Sequence, residues 1–443
     1  MEQEQGEKAL QLYMKMQEER VDPDEQTIVC ALRAVCILAE SEEALVGERW
    51  PIKVISLEIG CGLHADARRK GLASDVFVCN TLVSMYGKCG ALVEAEQVFG
   101  AMSNRNVISW TAMISAYHEH GQGDKALQLY AQMQHESVHA DQLTYMIALQ
   151  ACGILTEKEE ASSALKEISY KIIALEIGQL LHDDVKMKGF GSDAFIGTAL
   201  LNMYGKCGDI IGAEKVYETL VTHDVVSWSA MLSAYIDQNE GQKALQVYRQ
   251  MQEERLCIDQ LTSIIALQAC SIIAEGDEMP VSTGMSRKTF ALEIGRALHA
   301  VARRKGFASD LYVSNTILNM YGKCGAVLEA EHVFGLASER NTVSWNTMIT
   351  VYAEQGEEEK ALRLFEEMQN QCVDYDDVTL ISVLKACSLI GSSNICNELH
   401  FDIICAGYEL VPSVAASIIH VYGSCARMVD AHAFFDELIQ PHL

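Results

Sequence analysis

The string YGKCG stands at 86–90, 204–208 and 321–325, with a degraded YGSCA at 422–426. A tyrosine, a lysine, a cysteine and two glycines this close together are the residue types of a phosphate loop, a metal knuckle or a reactive thiol. Spacing argues against all three. A loop of the form GxxxxGK[ST] needs a preceding strand and a hydroxyl for magnesium after its lysine, whereas Lys88, Lys206 and Lys323 are each followed by cysteine. Cys89, Cys207, Cys324 and Cys425 lie in separate copies, too far apart for one zinc site, so packing is their reading and no metal is expected. For the three lysines two roles stay open: a favourable charge at a helix C-terminus, or a contact to a phosphate backbone. The same two-way reading, solvated face or phosphate contact, holds for ARRK at 67–70 and 302–305. The histidines of the LH pairs, His64, His182, His299 and His400, are placed at the start of a helix without a carboxylate or serine partner, and are read as structural. Trp110, Trp228 and Trp345 are read as packing residues of a helical hairpin. No acid, base, metal or nucleophile constellation emerges, so neither an enzyme nor a cofactor is expected.

Composition narrows the class. With 443 residues, 49% hydrophobic, 21% charged and 5 prolines, the chain reads as ordered, helical and longer than one core supports. Its apolar runs fall well short of the roughly 20 residues of a membrane span, so no membrane partner is expected. The 15 cysteines include no CxxC pair and read as reduced, mostly buried thiols. The acidic start, MEQEQGEKAL, lacks the character of an organellar transit peptide. The net charge of −27 makes generic polyanion affinity poor, because lysine and arginine supply most of it.

The elements that position these residues are repeats. Tyr86, Tyr204 and Tyr321 recur at intervals of 118 and 117, as do Trp110, Trp228 and Trp345; Ala9, Ala126, Ala244 and Ala361 follow at 117, 118 and 117. Each period divides into three units. One is 35 residues long (107–141, 225–259, 342–376), one is 31 residues long and holds YGKCG (76–106, 194–224, 311–341), and the third lies between them (25–75, 142–193, 260–310, 377–411). An acidic insert of about 16 residues lengthens the first three copies of that third unit and is read as a solvated extension; its absence shortens the last period to 101. Within 76–106, Leu92, Ala95, Val98, Phe99 and Met102 mark one helical face after a GKCG break, with Gly90 suited to a left-handed cap. Such a hairpin cannot bury its stripe alone, which predicts an α-solenoid.

With SWxxMIxxY…KALxLYxxM, LQAC…LEIGxxLH and MYGKCG…AExVF in rotation, the sequence resembles the pentatricopeptide repeat family, and within it the plant subclass that alternates P-, L- and S-type motifs. The resemblance implies an all-α, right-handed solenoid of helix–turn–helix repeats that binds single-stranded RNA along its groove at about one base per motif. It also implies an organellar protein, in mitochondrion or chloroplast, that recognises sites for C-to-U RNA editing.

In that family the fifth and last residues of a motif read a base edge, and the second flanks the base. Carried over, the P-type pairs are Thr111 with Asp141, Ser229 with Asp259 and Asn346 with Asp376. The S-type pairs are Asn80 with Asn106, Thr198 with Asp224 and Asn315 with Asn341. The flanking residues are Phe77, Ile108, Phe195, Val226, Tyr312 and Val343. The L-type motifs carry Val29, Met146, Ile264 and Ile381 at position five and are expected to read little. The family's pairing of Thr or Ser with Asp for G, Asn with Asp for U, and two Asn for a pyrimidine implies 5′-Y-G-N-G-G-N-Y-U-3′ over 76–376.

The resulting division is 1–24 (second helix of a P-type repeat), three L-S-P triplets at 25–141, 142–259 and 260–376, and an L-S pair at 377–443. The last S-type unit presents Ala416 and His442 at its reading positions and is expected to read nothing. An HxE…PCxxC zinc signature is missing, so editing chemistry would require a deaminase-domain protein in trans. The competing reading is a protein-interaction scaffold that no longer binds RNA. Against it stand the polar pairs, for which a scaffold supplies no obvious reason at those spacings.

Overall fold

The computed structural model describes residues 2–42, 45–46, 51–157, 164–191, 193–220, 222–276, 286–337 and 339–439. It consists of two compact units, Met1–Gln238 and Asn239–Leu443. The first contains α1 (Glu2–Glu18), α2 (Glu25–Ser41), α3 (Val54–Arg69), α4 (Val76–Lys88), α5 (Leu92–Ala101), α6 (Val107–Glu119), α7 (Gly123–His135), α8 (Gln142–Thr156), α9 (Ala164–Met187), α10 (Ala194–Cys207), α11 (Ile210–Thr219) and α12 (Val225–Asp237). The second contains α13 (Gly241–Glu253), α14 (Gln260–Glu275), α15 (Arg287–Lys305), α16 (Leu311–Lys323), α17 (Val327–Leu336), α18 (Thr342–Gln355), α19 (Glu358–Asn370), α20 (Asp377–Ile390), α21 (Ser393–Ala406), α22 (Pro412–Ser424) and α23 (Met428–Ile439).

The protein is all-α, and each unit is a stack of helical hairpins. Between α2 and α3 the first insert adds a two-residue antiparallel ladder, β1 (Leu45–Val46) with β2 (Pro51–Ile52). In the second period the far end of the insert continues as helix and lengthens α9 to 24 residues. Positions 158–163 and 277–285 of the second and third inserts lie outside the described residues.

Helix starts follow from caps. Asp24, Asp75, Asn106, Asp141, Asp193, Asp224, Asp259, Asp310, Asn341 and Asp376 each accept a backbone N–H of the helix that follows through a side-chain oxygen. Each such cap contributes about 1 kcal/mol. Helices α2, α4, α6, α8, α10 and α12 pack consecutively into one layer, as do α14, α16, α18, α20 and α22 in the second unit. Tryptophans fill the seam between one hairpin and the next: Trp110 of α6 meets Phe99 of α5 edge-to-face at 5.0 Å, and Trp345 of α18 meets Phe334 of α17 at 5.2 Å. Their indole N–H groups find no hydrogen-bond acceptor among the described residues, so these side chains stabilise through packing alone.

Both glycines of YGKCG have structural causes. A Cβ at Gly87 would sit 2.7 Å from Ala116 Cβ, and one at Gly205 would sit 2.7 Å from Ala234 Cβ, so the first glycine lets neighbouring helices approach. The second, at Gly90, Gly208 and Gly325, has φ of 80°, 84° and 76° and terminates the helix in the left-handed region. The cysteines between them are buried, 3.9 to 4.0 Å from a methionine sulfur one turn earlier. Burial pushes the Cys89 and Cys207 thiols up to about 12 and Cys324 to about 11, which removes thiolate reactivity.

The LH histidines are not at helix starts. His64, His182, His299 and His400 lie in the second halves of α3, α9, α15 and α21, facing the YGKCG tyrosine of the next motif. Their Nδ1 atoms are 2.8, 2.9, 2.9 and 2.6 Å from the hydroxyls of Tyr86, Tyr204, Tyr321 and Tyr422. The LEIG and YGKCG motifs are therefore two sides of one contact.

Candidate nucleic-acid interface

The residues at motif positions five and last come together because each motif's last residue is the N-cap of the next motif's first helix. In α16, Asn315 Nδ2 donates to Asn341 Oδ1 at 3.2 Å, and in α4 Asn80 Nδ2 donates to Asn106 Oδ1 at 3.3 Å. In α18, Asn346 Nδ2 donates to Asp376 Oδ1 at 2.8 Å. Thr111 is coupled through a relay: its hydroxyl lies 2.7 Å from Thr144 Oγ1, which donates to Asp141 Oδ1 at 2.6 Å.

The Thr198–Asp224 pair is joined neither directly nor by such a relay among the described residues. The Thr198 hydroxyl donates to Ala194 O at 3.0 Å, while Asp224 Oδ1 accepts from Ser227 N at 2.8 Å. Ser229, whose hydroxyl donates to Val225 O, belongs to the first unit, and Asp259, the cap of α14, belongs to the second. Of the last S-type unit, Ala416 is exposed on α22 beside an exposed Ser413, and His442 lies outside the described residues.

The caps use one oxygen each. Asp141, Asp224 and Asp376 bond their own helices through Oδ1, which leaves Oδ2 without a protein partner among the described residues. Burial pushes the Asp376 carboxyl up, but hydrogen bonds from Thr379 and Asn346 outweigh it and hold its pKa below the usual carboxylate value. A carboxylate oxygen beside a hydroxyl or amide donor matches an edge offering N–H next to C=O, as guanine and uracil do. An amide pair offers both donor and acceptor and accommodates either pyrimidine.

The second-position residues form an exposed apolar row beside these pairs. Phe77, Ile108, Phe195, Val226, Tyr312 and Val343 are 52–74% exposed. In the first unit Phe77, Ile108, Asn80, Thr111 and Asp141 line one groove of about 710 Å³. Large apolar side chains this open, at a fixed register, make an exposed apolar surface of the kind that marks interaction sites.

The lysines of YGKCG carry carboxylate partners. Lys88 pairs with Glu40, Lys206 with Glu157 at 2.5 Å, and Lys323 with Glu275 at 2.7 Å and Glu354 at 3.2 Å. Burial disfavours the ammonium of Lys88 and of Lys323, yet these carboxylates outweigh it and raise both pKa values. Neither reading from sequence anticipated lysines already neutralised by acids from the preceding L-type motif or the following helix.

The family model described as "PPR repeat" matches residues 77–107, 198–225, 226–256 and 312–341, and the one described as "PPR repeat family" matches 105–153 and 340–388. The chain is built of pentatricopeptide repeats. It is 31% identical over 382 residues to a chloroplastic pentatricopeptide repeat-containing protein of Arabidopsis thaliana, covering 86% of this chain and 54% of the relative. A mitochondrial Arabidopsis thaliana protein of the same description is 26% identical over 434 residues, 98% of this chain and 37% of its own length. The chain thus spans about half or less of these relatives. Among solved structures, the pentatricopeptide repeat protein PPR10 in complex with an 18-nt psaJ RNA element aligns with 98% of this chain and 77% of its own, at 15% identity and a TM-score of 0.39.

Within these repeats, sequence reasoning missed a third of the apolar row. Leu143, Leu261 and Val378, the second residues of three L-type motifs, are 49%, 53% and 51% exposed, and Leu143 lines the same groove as Ile108. The same positional rule would have found them. The apolar fifth residues of these motifs, Met146, Ile264 and Ile381, hide this signal because they point to motifs that read little; all three are half-buried.

Proposed function

We propose that this chain binds single-stranded RNA sequence-selectively, one base per P- or S-type motif, as a recognition factor in organellar RNA processing, with C-to-U editing as the process served. A deaminase-domain protein would supply the chemistry in trans, and the mitochondrial or chloroplastic location is carried over from the relatives' descriptions. The observation that supports this most is the register: an exposed apolar residue and a partly satisfied polar pair alternate along the repeats. Leu143 and its counterparts extend the role of flanking wall to the L-type motifs, so a base read by Thr111 and Asp141 lies between Ile108 and Leu143. The six polar pairs are Asn80–Asn106, Thr111–Asp141, Thr198–Asp224, Ser229–Asp259, Asn315–Asn341 and Asn346–Asp376.

The scaffold reading gains one specific support. Aspartate or asparagine at the last position is what a helix N-cap requires, so that half of each pair has a purpose without RNA. What a cap does not explain is the exposed apolar row. Fluorescence anisotropy with 5′-Y-G-N-G-G-N-Y-U-3′ separates the two readings. RNA binding predicts preference over the purine/pyrimidine-swapped octamer, and a scaffold predicts none. With its YGKCG lysines paired, the protein should bind with a shallow salt dependence, a slope of about −1 to −2 in log K against log salt.

A further inference from the structure

The YGKCG lysines belong to a charge pattern that repeats with the triplets. Each stands thirteen residues past the cap of its own helix: Asp75 to Lys88, Asp193 to Lys206 and Asp310 to Lys323. Sixteen residues past the cap of the preceding L-type helix stands an acid, Glu40, Glu157 or Glu275. Thirteen past the cap of the following P-type helix stands another, Glu119, Asp237 or Glu354. In the fourth period Ser424 replaces the lysine, and Ser392 replaces the L-type acid at the same register. Cation and acid are lost together, as groups that act as a unit should be.

These clusters share the grooves of the polar pairs. The first-unit groove that holds Asn80, Thr111 and Asp141 also holds Lys88, Glu40 and Glu119. In the second unit Asn346 and Asp376 share a groove of about 320 Å³ with Lys323 and Glu354. Lys88 follows Asn80 by eight residues on α4, so the two positions stand about 12 Å apart along the helix. Burial pushes the Asp237 carboxyl up, while nearby Lys206 pulls it down. The L-type acids are the looser partners. Glu40, Glu157 and Glu275 keep 57%, 61% and 55% of their side-chain surface exposed, against 30%, 41% and 22% for their lysines.

We propose that Glu40, Glu157 and Glu275 are built-in competitors of the RNA backbone, each holding its lysine's ammonium until a phosphate displaces it. The acid then swings into solvent while the better buried lysine stays in place. The lysine is paired in both states, so the exchange adds little net affinity and base contacts decide which RNA is retained. In a chain of net charge −27, this suppresses capture of unmatched RNA through its phosphates. The inference rests on the RNA-binding reading, but its effect is the same for every sequence.

The test compares the full chain with a variant carrying Glu40→Gln, Glu157→Gln and Glu275→Gln together. Anisotropy across a salt series reads binding of labelled 5′-Y-G-N-G-G-N-Y-U-3′ and of the purine/pyrimidine-swapped octamer. The variant should bind both octamers about tenfold tighter or more, with a salt slope steeper by about 1 to 2. Adding Lys88→Gln, Lys206→Gln and Lys323→Gln should abolish the gain. A charge-matched control, Glu4→Gln, Glu253→Gln and Glu359→Gln, removes exposed acids paired with Lys8, Arg249 and Arg363 of their own helices, and should gain little. Melting temperatures should be unchanged, because exposed pairs contribute little. A gain without preference between octamers would remove base selectivity and leave the competitors standing. No gain, a gain that survives loss of the lysines, or an equal gain in the control would overturn the proposal.

Discussion

Asn346 Nδ2 donates to Asp376 Oδ1 at 2.8 Å, joining the fifth residue of one repeat to the cap of the next helix. The cap uses Oδ1, and the base contact proposed for Asp376 would fall to Oδ2, so the two roles can be separated. Asp376→Asn keeps a capping oxygen and should leave the melting temperature nearly unchanged while weakening preference for U. Asp376→Ala should also destabilise by about 1 kcal/mol. Asn346→Thr should move the preferred base at the last octamer position from U to G by roughly tenfold, on the order of 1.4 kcal/mol. Competition anisotropy with all four bases at that position reads the outcome; an unchanged ranking would argue that the pair is only a cap.

Gly178 faces Met203, and a Cβ there would lie 2.7 Å from Met203 Cε. The same holds for Gly60 with Met85 and Gly295 with Met320. In the fourth period the equivalent positions are Cys396 and Val421, both 1% exposed. The larger residue on one helix is matched by a smaller one on the other. The end of the Met203 side chain is flexible and can shift aside, so Gly178→Ala should destabilise by about 1 kcal/mol or less, alanine's better helix propensity offsetting part of the overpacking. Adding Met203→Val should recover that loss. Urea melts of both variants test this, and additive losses would contradict it.

Ala426 adopts φ 58° where Gly90, Gly208 and Gly325 stand in the other copies. An L residue in this region costs roughly 1–2 kcal/mol. Ala426→Gly should raise the unfolding midpoint of the C-terminal hairpin, and Gly208→Ala should lower that of its own. Hydrogen exchange of α22 and α10 resolves the two.

Burial, then the nearby Arg68, Lys186 and Arg303 respectively, lower the pKa values of His64, His182 and His299. Between those values and about 6.5 the unfolded chain binds more protons than the folded one, so stability rises with pH. The contribution is fully present above about pH 6.5 and is lost as pH falls through the folded-state pKa. Thermal melts from pH 7.5 to 5 should show this decline, and His182→Gln, which can still bond Tyr204, should flatten it. An identical pH profile for the variant would remove the histidines from the account.

Periodicity made most of the fold readable: unit lengths of 31 and 35 residues and the glycine break after Tyr86 are local signals that survive without tertiary context. What could not be read depends on contacts between units. The partner of His64 is Tyr86, 22 residues away, and no helix-level pattern announces it. The acids that neutralise Lys88 and Lys206 sit 48 and 49 residues upstream. At the candidate site, positions 80, 111 and 346 were located by repeat register, but their coupling to the next helix's cap appears only when neighbouring repeats stack. Leu143 and Val378 were legible in principle and were lost to an argument about position five.

The central claim is base selectivity, and affinity for the octamer 5′-Y-G-N-G-G-N-Y-U-3′ against its purine/pyrimidine-swapped counterpart tests it most directly. The account predicts at least about tenfold preference for the first, reduced when Leu143→Ser opens one wall of the slot read by Thr111 and Asp141. Equal affinity for the two octamers, or no binding to either at low salt, would contradict it.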